Sequence, residues 1–184
     1  LLRFDLDGLA PAPGVSLSAQ ASSTTLWLER SAFSGKAMTV HRSGDLLFLA
    51  PRIGSGLMVY DAGLASPMPL NAHVATPALA LEGISAMTSL TLGGKRWLVT
   101  ASQTRDMLSL FEIGTGGSLA PIAVLGTAQL LPIDLPSQLV AVTLHGQGFL
   151  LLASQGSSSL TVLRLDAEGK LSFVSQVIDN LLTR

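Results

Sequence analysis

Trp97-Leu98-Val99-Thr100-Ala101-Ser102, a polar loop from Gln103 to Asp106, and then Leu108-Ser109-Leu110-Phe111 form the stretch on which the fold turns. A run with four apolar residues in six suits a strand covered on both faces, and the polar loop leads into a second short apolar run. Just upstream, Leu90-Thr91-Leu92 reaches Trp97 through Gly93-Gly94, a pair that permits the positive φ of a tight hairpin. The same pattern stands on either side. Upstream are Met38-Thr39-Val40-His41, Leu46 to Ala50 and Leu57-Met58-Val59-Tyr60; downstream are Val142-Thr143-Leu144-His145, Phe149 to Ala153 and Leu160-Thr161-Val162-Leu163. Thr39, Thr91 and Thr143 are 52 residues apart, and Ala50, Ala101 and Ala153 each stand seven residues before the next apolar run. A weaker fourth strand is expected near Leu119–Leu125 and near Leu171–Val177. Four-stranded antiparallel units of about 50 residues, stacked face to face, describe an all-β propeller.

The chain opens within a third-type strand, since Leu2-Arg3-Phe4-Asp5 matches Leu163-Arg164-Leu165-Asp166. The expected division is a partial blade of outer strands and a connection over 1–37, then blades over 38–85, 86–137 and 138–184. That is about 3.5 blades, whereas propellers close with roughly four to eight. The arc is therefore expected to belong to a larger, seven-bladed ring. Its partners would be the remaining blades of the same protein or a second chain completing the ring.

Composition excludes several functions. Hydrophobic residues make up 48% of the 184 and charged residues 12%, about half the share usual in soluble domains, so the chain is not of the disordered class. Eleven Lys+Arg against twelve Asp+Glu leave a net charge of −1 and no basic field for nucleic acid. With no cysteine there is no disulfide frame, thiolate zinc site or cysteine nucleophile. Mean hydropathy is +0.50, yet no run approaches the roughly 20 apolar residues of a membrane-spanning helix.

The blade-building run Gly94 to Ser102, with Leu108 to Ile113 and Gly117-Ser118-Leu119, resembles two groups of propellers. One is the seven-bladed lactonase-like propellers, which include 6-phosphogluconolactonase. The other is the propeller-like N-terminal regions of bacterial hemolysin-type (RTX) calcium-binding proteins. Ala153-Ser154, Leu160 to Leu165 and Gly169-Lys170-Leu171 carry the same likeness. The hemolysin-type resemblance implies an extracellular, secreted protein, with a cytoplasmic location as the alternative, and a divalent cation such as calcium. The Gly-Gly-x-Gly-x-Asp calcium repeat is absent from these residues.

Motifs for chemistry are sparse. Gly94-Lys95, Gly35-Lys36 and Gly169-Lys170 have Ser89, Arg30 and Arg164 where a phosphate loop needs glycine. No Gly-x-Ser-x-Gly elbow occurs. His41 and His145 stand 104 residues, or two repeats, apart just before the first hairpin turn and are expected to be turn decoration, and His73 stands alone. Trp97 is expected in the core, and so is Trp27. The candidate metal ligands are Glu82 and Asp134, 52 residues apart, with Glu29 one position off that register. All three fall in blade-to-blade connections, which in propellers border the channel mouth, where carboxylates suit a hard cation; caps on local backbone are the alternative. No residue is assigned a catalytic role. On this footing the sequence leans away from an enzyme, toward a non-enzymatic binding or interaction module within a larger secreted bacterial protein. The alternatives are a lactonase-like hydrolase using a cation held by the channel-mouth carboxylates, and a structural repeat mediating assembly.

Overall fold

The computed structural model describes residues 38–63, 68–73, 76, 79–126 and 133–179. They form three four-stranded sheets, each an antiparallel meander in chain order. The first blade is β1 (Met38–Ser43), β2 (Leu46–Pro51), β3 (Leu57–Asp61) and β4 (Met68–His73). The second is β5 (Ile84–Leu92), β6 (Lys95–Ser102), β7 (Met107–Ile113) and β8 (Leu119–Leu125). The third is β9 (Pro136–Leu144), β10 (Gln147–Ser154), β11 (Ser159–Leu165) and β12 (Leu171–Ile178). The opening strand β5 adjoins β1 of the blade before it and β9 of the blade after it, as the inner strands of neighbouring blades do. This is a partial set of propeller blades. The half-blade expected over 1–37, with Trp27 and Glu29, lies outside the described residues. Among the described residues no helix is long and apolar enough to cross a membrane.

The core lies between the sheets. Trp97, Val99, Leu108 and Leu110 project from the second blade onto Leu150, Leu152, Leu163 and Leu165 of the third, and all eight are at most 1% exposed. One interface earlier, Phe48, Leu57 and Val59 pack on Leu98 and Phe111. Strand β6, covered on both sides, is buried from Trp97 to Ser102, whereas β10 alternates buried and half-buried residues. Side-chain hydrogen bonds cross the inner strands where no ladder joins them. Thr39 Oγ1 donates to the Ile84 carbonyl (2.7 Å), the Ala141 N–H to Thr88 Oγ1 (3.1 Å), and Ser85 Oγ to the Pro136 carbonyl.

Irregularities repeat as faithfully as the strands do. The outer pair of each blade skips one residue, at Leu70, Ile122 and Val174, each 52 after the last. All three are exposed (42%, 43% and 49%) because a bulged residue leaves the pleat. The inner pairs of the second and third blades skip Ser85 and Ser137, whose hydroxyls donate to the Ala101 and Ala153 carbonyls (3.2 and 3.3 Å).

The first hairpin of the first blade departs from the 52-residue period. It turns at Gly44-Asp45, and Gly44 stands 49 residues before Gly93. Thr39 consequently pairs with Ala50, whereas Thr91 pairs with Arg96 next to its turn, so the two are not equivalent. The expected match of His41 with His145 fails for the same reason. His41 lies within β1 opposite Phe48, while His145 is itself a turn residue with φ 50°, 52 residues after Gly93 at φ 61°.

Candidate functional site

In an antiparallel meander, the blade-to-blade connections and the loops between second and third strands share one end of the stack. Glu82 immediately precedes Gly83 and β5, and Asp134 precedes Leu135 and β9. The connection before β5 is held between two loops: the Gly83 N–H donates to the Gly54 carbonyl of the preceding blade (2.8 Å), and the Gly83 carbonyl accepts from the Gln103 N–H (2.9 Å). The connection before β9 repeats this, with the Leu135 N–H donating to Asp106 Oδ1 (2.8 Å) and the Leu135 carbonyl accepting from the Gln155 N–H (3.0 Å). Gly83 and Leu135 share a left-handed backbone, at φ 56° and 47°. For leucine that conformation is uncommon, and it persists because both peptide groups are tied.

The two carboxylates therefore occupy equivalent places, but their surroundings differ. Glu82 Oε2 pairs with Arg105 Nε at 3.4 Å, both side chains being about two-fifths exposed (43% and 41%). The Arg105 N–H donates to Ser102 Oγ (3.1 Å), and Ser102 Oγ donates to the Glu82 carbonyl, which ties the pair to the end of β6. At this exposure the ion pair adds little stability, so its interest is chemical. Asp134 is exposed, and its carboxylate lies over Gly156, where an added Cβ would come within 2.4 Å of Asp134 Cγ. Among the described residues no three His, Asp or Glu side chains converge to hold a metal ion. Among the described residues Glu82 and Asp134 therefore gain no third ligand for a cation.

Arg105 and Asp106 were missed by the sequence reading because they interrupt the repeat. Their counterparts in the third blade are Ser157 and Ser158, which carry no charge. The usable signal was that Arg105-Asp106 stand where the third blade has Ser157-Ser158.

The histidines are dispersed. His73 Nε2 lies 3.4 Å from the Gly117 carbonyl, and His145 sits at the opposite end of its strand from the connections. His41 packs between the first two blades, with Nε2 2.8 Å from Ser89 Oγ and its ring stacked on Phe48. Burial holds His41 below its ordinary value of 6.5. The unfolded chain then binds the proton at higher pH than the folded one, so His41's share of stability is present above 6.5 and is lost as pH falls toward the folded value. The urea midpoint is expected to fall between about pH 7.5 and about pH 5, and His41→Gln should flatten that fall. An identical pH profile for the variant would remove His41 as its source.

No family model and no curated protein matches the chain. Solved structures do. A proposed 6-phosphogluconolactonase from Bacteroides fragilis superposes with a TM-score of 0.56 at 19% identity, covering 77% of this chain and 38% of that one. The periplasmic gluconolactonase of Pseudomonas aeruginosa gives 0.59 at 21%, covering 73% and 37%. An exo-β-1,3-galactanase from Phanerochaete chrysosporium gives 0.55 at 10%, covering 79% and 39%. The chain thus spans under two-fifths of the length of these proteins. The expectation of a non-enzymatic module, and the lean away from an enzyme, are corrected here: these neighbours of similar fold are named as enzymes, two of them as lactonases. At such identities the likeness itself establishes architecture alone. The described residues are three blades of a β-propeller whose fold is similar to that of the lactonases.

Proposed function

We propose that the chain belongs to a lactone-hydrolysing propeller, with the end bearing Glu82, Arg105 and Asp134 as its substrate-facing end. The observation that supports this most is the placement of a carboxylate at the same point of two successive connections, one of them beside a guanidinium, in a fold similar to lactonases. Lactone hydrolysis adds water to the ring carbonyl, breaks the acyl–oxygen bond and delivers a proton to the departing ring oxygen. A carboxylate supplies the base that takes the proton from water. A guanidinium supplies fixed positive charge, either for the oxyanion that develops at the carbonyl or for an anionic group on the substrate.

The test is hydrolysis of glucono-δ-lactone and 6-phosphogluconolactone, followed by acid release, in the whole protein that carries this chain. Glu82→Gln, Asp134→Asn and Arg105→Ala are each expected to lower kcat/KM by about 10²-fold, the scale of a general-base or charge-stabilising group, with little change in the melting temperature. Parallel assays with EDTA and with added calcium read any dependence on a cation. Full activity in all three variants would remove this end of the stack from the chemistry.

A further inference from the structure

We propose, resting on the lactonase reading above, that Ser102 is a positioning residue whose hydroxyl fixes where the Glu82 carboxylate and the Arg105 guanidinium meet. Ser102 is the last residue of β6, held in the ladder opposite Ile84 on one side and Met107 on the other, and it is 1% exposed. Its Oγ donates to the Glu82 carbonyl and accepts from the Arg105 N–H at 3.1 Å. One buried hydroxyl thus holds the backbone of both partners of the ion pair, the first on the connection before β5 and the second on the loop after β6. Two long, partly exposed side chains do not hold a fixed geometry through their own attraction, because ordering them costs about as much as the pairing returns.

The third blade shows that the repeat does not require these bonds. Ser154, 52 residues on, stands in the same frame, opposite Pro136 and Ser159, and is 3% exposed. The loop after it keeps the same shape, with Ser158 at φ 45° where Asp106 has 52°. The Gln155 N–H reaches the Leu135 carbonyl just as the Gln103 N–H reaches that of Gly83. Yet the Ser154 hydroxyl has no partner, and the Asp134 carbonyl accepts from the Gly156 N–H (3.1 Å) instead. The connection and its loop therefore form without the serine's help. Of the two hydroxyls, the engaged one belongs to the blade whose loop carries Arg105, where the third blade has Ser157. What it adds is geometry at the point where two charges meet, and a misplacement of about 1 Å at such a point costs on the order of 10²-fold in rate.

In the protein assayed above, Ser102→Ala is expected to lower kcat for glucono-δ-lactone roughly tenfold with KM within about twofold, and Ser102→Thr, which keeps the hydroxyl, should recover most of it. Ser154→Ala removes the unpartnered hydroxyl and should leave kcat unchanged. In an Arg105→Ala background Ser102→Ala should lower kcat much less than in the native protein, because the group it positions is gone. If the alanine variant does not fold, Ser102→Cys keeps the volume with a weaker donor and reads the same loss. Native kcat in Ser102→Ala, an equal loss in Ser154→Ala, or equal losses with and without Arg105 would each overturn the proposal. Native protein that hydrolyses neither lactone would sink the lactonase reading alone. Ser102 is then judged by NMR exchange of the Arg105 Nε–H, expected roughly tenfold faster in Ser102→Ala; unchanged exchange would end the positioning role.

Discussion

Trp97→Ala is expected to cost about 3–5 kcal/mol of folding stability, read as a lower urea midpoint at unchanged slope. The indole is 0% exposed, and its N–H donates to the Leu92 carbonyl at 3.3 Å. Truncation would leave both a cavity between two blades and a carbonyl without its side-chain donor. A domain with about 5–15 kcal/mol in all loses a large fraction of its stability that way. The control lies 52 residues on, at Phe149, which holds the same place on an uncovered sheet face and is only half-buried. Phe149→Ala in this chain is expected to cost under about 2 kcal/mol, since less apolar surface returns to water. Equal losses at the two sites would mean that Trp97 owes its burial to its own sheet and not to the third blade.

Gly169→Ala is expected to cost about 2–4 kcal/mol through two separable causes. The residue has φ +90°, a conformation an L side chain rarely adopts, and an added Cβ would lie 2.8 Å from Trp97 Cη2 and 3.0 Å from Ile122 Cγ2. Gly146→Ala isolates much of the first cause, because Gly146 has φ +75° with no atom within 4 Å of the added Cβ. It should cost about 1 kcal/mol. In a Trp97→Ala background the clash with the indole disappears and only the contact with Ile122 remains, so Gly169→Ala should cost less there than in the native chain. Strict additivity of the two substitutions would contradict the contact.

Much of the fold was legible because a stacked repeat imposes one hydrophobic period on every copy. The strand pattern, the hairpin glycines and the expected fourth strands near Leu119–Leu125 and Leu171–Val177 all follow from it. The fourth strand of the first blade, β4, was not placed by number; it carries Pro69 where β8 carries Pro121, and an outer strand tolerates proline there because it has a free edge. The first blade's register was misplaced because a turn can shift along a strand pair without disturbing the apolar alternation that marks the strands. At the candidate site, the equivalence of Glu82 and Asp134 was visible as spacing. The pairing of Glu82 with Arg105 was not, since the two lie 23 positions apart on different loops.

What the sequence determined by itself is the unit: four short strands, a period near 52, apolar second strands, and carboxylates placed once per connection. These are local properties, set by alternation and turn chemistry within one blade. Which face of each blade is sealed, which serine ties it to the next, and whether a carboxylate meets a guanidinium were decided only by the stacking of blades. Trp97 and Phe149 have the same local pattern and the same place in their sheets, yet one is buried and the other is not. The difference is the neighbour. A sheet's side chains can be desolvated only by another surface, and that surface comes from residues distant in the chain.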